Sequence, residues 1–217
     1  MNIEQARFNM IEQQIRTWDV LDQDVLDLLI VVKREAFVPA AYTSLAFVDT
    51  EIPLPCGQSM LMPKIEARML QEAAVKKHEQ VLEIGAGSGY MAALLGRCGR
   101  HVTSIDIEPQ LVALAKENLA ACHIDNVDVV LGDGARGWVN AAPYDVIVVS
   151  GSMPVLPEEF LDQIKIGGRL LCVIGDAPVM IAQCITRVSS SGYSTVNLFE
   201  TTIKPLQNAL VPSRFSF

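Results

Sequence analysis

The stretch VLEIGAGSGY, Val81 to Tyr90, limits what this chain can fold into more than any other. A short apolar run carrying one acid, Glu83, breaks into Gly85, Gly87 and Gly89. An apolar run followed at once by glycines at alternate positions reads as a buried parallel strand turning sharply into a helix. Glycine is needed where the backbone takes unusual φ/ψ or approaches a ligand with no Cβ in the way. The helix that follows then offers free backbone N–H groups to an anionic part of that ligand. Glycines at such a turn also serve packing alone, so the ligand must be argued from other residues too.

Spacing and charge narrow the ligand. A dinucleotide loop, G-x-G-x-x-G, would place its third glycine at position 90, which is Tyr90 here. The alternate-glycine form with Glu83 just ahead of it resembles motif I of the class I S-adenosylmethionine (SAM) methyltransferases. Ligands in open parallel sheets bind beyond the carboxyl ends of the strands. Three acids fall at such ends: Glu83, Asp106 in SIDIEP and Asp133 in LGDGARGW. Asp106 lies 21 residues past Gly85, a natural distance for a carboxylate that accepts hydrogen bonds from ribose hydroxyls. Asp133 with Gly134 is placed to meet the exocyclic amine of an adenine, and Glu83 to face an ammonium directly or through water. Each acid alone is as well explained by a solvated loop or a helix cap. Three at successive strand ends point to one cleft. NAD presents a pyrophosphate, whereas SAM brings a sulfonium, an ammonium and one carboxylate, and acids suit the second better.

From Gln80 onward, strand and helix patterns alternate. Strands are expected at 80–84, 101–107, 127–131, 144–150 and 168–174, and helices at about 89–98, 109–122 and 157–164. Pro109 and Pro157 each suit a first helical turn. Such alternation with short connections predicts a parallel sheet covered on both faces. Segments 180–188 and 193–203, joined by SSSG, read as a hairpin. Upstream, Phe8, Ile11, Ile15 and Trp18 mark an amphipathic helix. A second helix capped by Asp22 or Asp24 carries Val25, Leu28, Leu29 and Val32 inward and stops before Val38-Pro39. Pro63 opens a third, with Ile65, Met69 and Ala73 on one face. The expectation is one unit over 1–217: an α/β, Rossmann-like sheet core over 77–217 and a helical lid over 1–76.

Half the residues are apolar and 19% are charged, as in a globular chain that buries a real core. A net charge of −8 argues against a general nucleic-acid surface. No apolar run approaches the ~20 residues of a membrane span. MNIEQARFNM lacks a signal-peptide pattern, and five scattered cysteines suggest neither a disulfide framework nor a metal site. A cytoplasmic protein, monomeric by slight preference, is the expectation.

The combination FVP (37–39), AFVD (46–49), LPCGQS (54–59), VLEIGAGSGY (81–90), SID (104–106), GDGARGW (132–138) and APYD (142–145) resembles the protein-L-isoaspartate O-methyltransferases. QIKIGGRLLCVIG (163–175) matches the same family's later strand region, so the resemblance runs from about residue 5 to 176. It implies a mostly parallel seven-stranded sheet with an antiparallel C-terminal hairpin, SAM as cofactor and S-adenosyl-L-homocysteine (SAH) as product. It implies a protein or peptide acceptor. Cofactor contacts are expected from Glu83, Gly85, Ala86 and Gly87, and from Asp106, Ile107, Asp133 and Gly134. An acceptor-facing loop is expected at Gln58, Ser59, Met60 and Leu61, with no metal.

One departure bears on catalysis. The family usually reads G-Q-T-I-S-x-P, with its serine beside the transferred methyl; here Gly57–Pro63 reads GQSMLMP. Ser59 takes the threonine position and Leu61 the serine position. Leucine neither donates nor accepts a hydrogen bond. Ser59 is the hydroxyl available for a catalytic part, although a turn hydroxyl explains it as well. VSGSMP (149–154) and the ending KPLQNALVPSRFSF also depart from the family. Two other readings keep the SAM site: a different acceptor, or a non-catalytic SAM sensor.

Overall fold

The computed structural model describes residues 2–211. Helix α1 (Ile3–Met10) is capped by Asn2, whose side chain accepts from the Gln5 N–H, and α2 (Gln23–Val31) by Asp22, whose side chain accepts from the Asp24 N–H. A short pair, β1 (Ile52–Pro53) with β2 (Ser59–Met60), precedes α3 (Pro63–Ala73). There follow β3 (Gln80–Ile84), α4 (Tyr90–Cys98), β4 (His101–Asp106), α5 (Pro109–Ala121), β5 (Val127–Leu131), β6 (Tyr144–Met153), α6 (Glu158–Asp162), β7 (Ile164–Asp176), β8 (Val179–Arg187) and β9 (Tyr193–Glu200).

The main sheet has seven strands in the order β5-β4-β3-β6-β7-β8-β9. Strands β3 to β7 run parallel, and β8 and β9 join antiparallel as the expected hairpin. Side chains alternate across a strand, so one face should carry every second residue. Val81, Val102, Val146 and Val148 belong to one apolar cluster, and Leu82, Ile105, Ile147 and Val149 to the other. Helices α2 to α5 cover the first face, while Phe160 of α6, with Trp138 packed beside it, helps cover the second. Burial on both faces is why these strands are continuous apolar runs. β3 lies between β4 and β6, so the strand order reverses there and a crevice opens at their carboxyl ends.

Several boundaries differ from expectation. β7 begins at Ile164, which pairs with Tyr144, and continues through a register shift that the glycines at 167–168 accompany. That early start shortens α6 to Glu158–Asp162 and leaves Pro157 extended, one residue ahead of the helix. The last strand ends at Glu200 rather than 203. Phe8 is 56% exposed, not inward. A π turn over Ile11–Ile15 rotates the helix face, and Arg7, paired with Glu4 and Glu35, is the buried residue in its place. Part of the departing C-terminal stretch, 212–217, lies outside the described residues.

The N-terminal segment is pinned to the rest by Arg34. Fully buried, it pairs with Glu66 of α3, donates through Nε to the Ala46 carbonyl at 3.1 Å and through Nη2 to the Leu61 carbonyl at 2.8 Å. The Tyr90 ring lies 5.3 Å from its guanidinium. Removing one partner of a buried ion pair strands the other charge. Arg34→Met should therefore cost about 3–5 kcal/mol, read by urea unfolding. Combining it with Glu66→Leu should recover part of that loss, and a double variant worse than Arg34→Met would contradict the pairing.

Candidate active site

The crevice at the carboxyl ends of β3, β4 and β6 is a cleft of about 710 Å³, counting the space open to solvent. A second cavity of about 300 Å³ adjoins it, the two sharing Ser59, Leu61, Gly85, Gly87 and Ser150. Gly85, Gly87 and Gly89 all take positive φ, at 94°, 54° and 86°, which is why this turn needs glycine.

Four amides of the loop are held inside the protein, while the expected donors of the following helix are those of its first turn, which begins at Tyr90. Gly85 N–H and Ala86 N–H both donate to the Ile105 carbonyl, at 2.8 and 3.2 Å, and Gly89 N–H to the Ala86 carbonyl at 2.8 Å. Gly87 N–H donates to Asp106 Oδ2 at 2.9 Å. Asp106 Oδ1 accepts from Glu108 N–H at 3.0 Å. Asp106 thus fastens the glycine loop to the start of α5 and also borders the larger cleft. A carboxylate has about four acceptor sites, so two remain for a ligand. Burial pushes its carboxyl upward, opposed by those backbone bonds.

Glu83 is fully buried and borders the smaller cavity. Ser104, its register partner on β4, donates to it at 2.5 Å, and Ser150 of β6 at 3.2 Å. Burial dominates and lifts its carboxyl to about 8. Glu66, also buried at this cavity, is lifted by burial to about 7 against the pull of Arg34.

Asp133 is exposed and borders the larger cleft; its Oδ1 accepts from Ala135 N–H at 2.9 Å and its Oδ2 from Asn208 Nδ2 at 2.9 Å. Gly134 packs against β3 so closely that a Cβ would lie 2.7 Å from Ile84 Cγ2. Ile107 is half-buried beside it in the cleft wall. Ala86 and Met60 are buried and border the smaller cavity, while Gln58 borders the larger. Ser59 and Leu61 border both, but the Ser59 hydroxyl donates to Glu51 at 2.8 Å. Leu61 presents a side chain, while its carbonyl is held by Arg34.

Four polar side chains that line the larger cleft were not anticipated: Glu108, Ser150, Lys204 and Gln207. Glu108 had a local signal, two residues past Asp106 and just before Pro109. Ser150 sits in the departing VSGSMP segment. Lys204 and Gln207 follow β9 and reach the cleft only because the chain doubles back.

The two states of Glu83 have a measurable consequence. The folded chain keeps a proton that the unfolded chain releases near 4.5, so stability should fall as pH rises from about 4.5 to about 8. Glu83→Gln removes that charging step, and its serine partners can donate or accept. Without ligand it should raise stability at pH 8 by about 1–3 kcal/mol. Parallel pH profiles for the two proteins, followed by thermal unfolding, would contradict this.

Comparison with known proteins identifies the family. A family model described as protein-L-isoaspartate(D-aspartate) O-methyltransferase matches residues 5–204. A protein-L-isoaspartate O-methyltransferase of Rhodopseudomonas palustris is 39% identical over 201 residues, 92% of each chain. One from Koribacter versatilis is 36% identical over 200 residues, 92% of this chain and 90% of the relative. A solved protein-L-isoaspartate O-methyltransferase superposes with a TM-score of 0.80 at 25% identity, covering 93% of this chain and 66% of the other. A putative one from Plasmodium falciparum, in complex with SAH, gives 0.78 at 21% identity over 95% and 99%, a likeness of fold. The chain belongs to the protein-L-isoaspartate(D-aspartate) O-methyltransferase family.

Proposed function

We propose that this protein methylates the free carboxylate of isoaspartyl residues in proteins or peptides, with SAM as donor and SAH as product. The observation that carries the reading is the cleft at the strand-order reversal, walled by Asp106, Glu108 and Asp133 and closed on its acceptor side by the 57–61 loop.

SAM supplies a methyl on a sulfonium, which passes in line to a carboxylate oxygen and leaves the neutral thioether. The protein's part is to hold two groups in line and keep water away. Asp106, with two acceptor sites left over, suits the ribose hydroxyls, and Asp133 the adenine amine. Glu83, beside the glycine loop, suits the ammonium. An acceptor carboxylate has a pKa of about 4 and is ionised at neutral pH, so no general base is required. This fits a cleft with no histidine among the described residues that line it. Leu61 adds an apolar wall near the methyl path but no polar contact, which favours a second reading in which the acceptor differs.

Methyl transfer from labelled SAM to an isoaspartyl peptide, beside its aspartyl twin, tests the function. Transfer to the isoaspartyl form alone is expected; SAM binding with no transfer to either would favour the second reading. Asp106→Ala should weaken SAM binding about 10- to 100-fold, the worth of hydrogen bonds to a charged group, by calorimetry. SAM affinity should also rise with pH up to about 8 as Glu83 ionises to meet a cation. In Glu83→Gln that rise should vanish; an unchanged slope would remove Glu83 from the site.

A further inference from the structure

We propose that Lys204 holds the acceptor carboxylate, supplying with charge the polar contact that Leu61 lacks. The inference rests on the methyl-transfer reading above. Past β9 the chain turns back across the mouth of the cleft, and Ile203 is buried there. Ser152 N–H donates to the Lys204 carbonyl at 3.0 Å, and Leu206 N–H to the Ser152 carbonyl at 2.9 Å. The Ser152 hydroxyl adds a bond to the Ile203 carbonyl at 2.9 Å. Gly151 admits this close approach, since a Cβ there would lie 2.7 Å from Leu206 Cδ2. The backbone of Lys204 is thereby pinned to the carboxyl end of β6. Its ammonium reaches the opposite wall and donates to the Gly57 carbonyl. It therefore spans the mouth between β6 and the loop that carries Ser59 and Leu61.

The charge pattern makes this position distinctive. The acids bordering the two cavities are Glu66, Glu83, Asp106, Glu108 and Asp133; Lys204 is the one basic side chain among the described residues that border them. An acceptor carboxylate entering the larger cleft meets the acids Asp106, Glu108 and Asp133, and a cation at Lys204. Lys204 borders the larger cleft and not the smaller cavity against the glycine loop, which separates it from the place suited to the amino-acid end of SAM. An ammonium has three donors. Gly57 takes one, and two remain for carboxylate oxygens. A charge-assisted hydrogen bond is roughly twice as strong as a neutral one. A lysine in this place thus favours an ionised acceptor over its amide, so Lys204 determines specificity as well as position.

The test compares wild-type protein with Lys204→Met and Lys204→Arg, each loaded with SAH. Binding of an isoaspartyl peptide and of its isoasparaginyl twin is measured by calorimetry, beside SAH affinity and methyl-transfer kinetics. Lys204→Met should weaken the isoaspartyl peptide about tenfold, in Kd and in KM, the worth of one charged contact. The amide twin and SAH should bind it as they bind wild type, and Lys204→Arg should restore the carboxylate preference. An unchanged isoaspartyl Kd in Lys204→Met overturns the proposal, as does an equal loss for both peptides or a loss confined to SAH. Wild-type protein that transfers methyl while Lys204→Met is unaffected sinks the role of Lys204 alone. Wild-type protein that binds no isoaspartyl peptide sinks the proposed function and this inference together.

Discussion

The site depends on a loop that is fastened to its neighbouring strand. Two amides of the glycine turn share the Ile105 carbonyl and a third goes to Asp106, so β3 and β4 hold the turn between them. A floor built this way is organised before anything binds, and a ligand need not pay for ordering it. It also changes the electrostatic character of the turn. The amides of Gly85, Ala86, Gly87 and Gly89 are satisfied inside the protein, and acids set the charge of the surrounding cleft. That suits a cationic ligand. The positive φ values accompany the same turn, because a backbone bent back towards β4 takes conformations that residues with a Cβ rarely adopt.

A second constraint joins the N-terminal segment to the acceptor wall. Arg34 satisfies two loop carbonyls and one buried carboxylate at once, and one of those carbonyls belongs to Leu61. The backbone of the loop proposed to face the acceptor is therefore held from behind by Arg34, which borders neither cavity. The hydrophobic cluster that begins at Met10 continues without a break into Val146 and Val173 of the sheet. Movement of the 57–61 loop would disturb the packing of the helices that precede it, which favours a fixed wall over a mobile flap.

Much of this was legible from local pattern. The strands of the sheet announced themselves as apolar runs, and Glu83, Asp106 and Asp133 stood out because each closes or follows a strand within a few residues. All three border the two adjoining cavities. What escaped reading was whatever depends on distant partners. The fate of the loop amides is decided by Ile105, about twenty residues on and across the sheet. Phe8 fits a regular helical repeat that a π turn breaks. The strap after β9 has no motif of its own, and only the antiparallel return of β8 and β9 carries Lys204 to Gly57, 147 residues away in sequence. Ser59 was legible as a hydroxyl near the site, but not as the partner of Glu51.

The bond between Asn208 and Asp133 sets a condition on cofactor binding. Asn208 occupies Oδ2 of the carboxylate that suits an adenine amine, and Gln207 holds Glu108 at 2.7 Å on the ribose side. An incoming nucleoside that used the same carboxylates would share them with these amides, since acceptor sites are left on both. The segment after β9 thus shapes the acidic wall of the cleft from 75 residues away in sequence. Substitutions there would alter that wall without touching the glycine loop or the acids themselves.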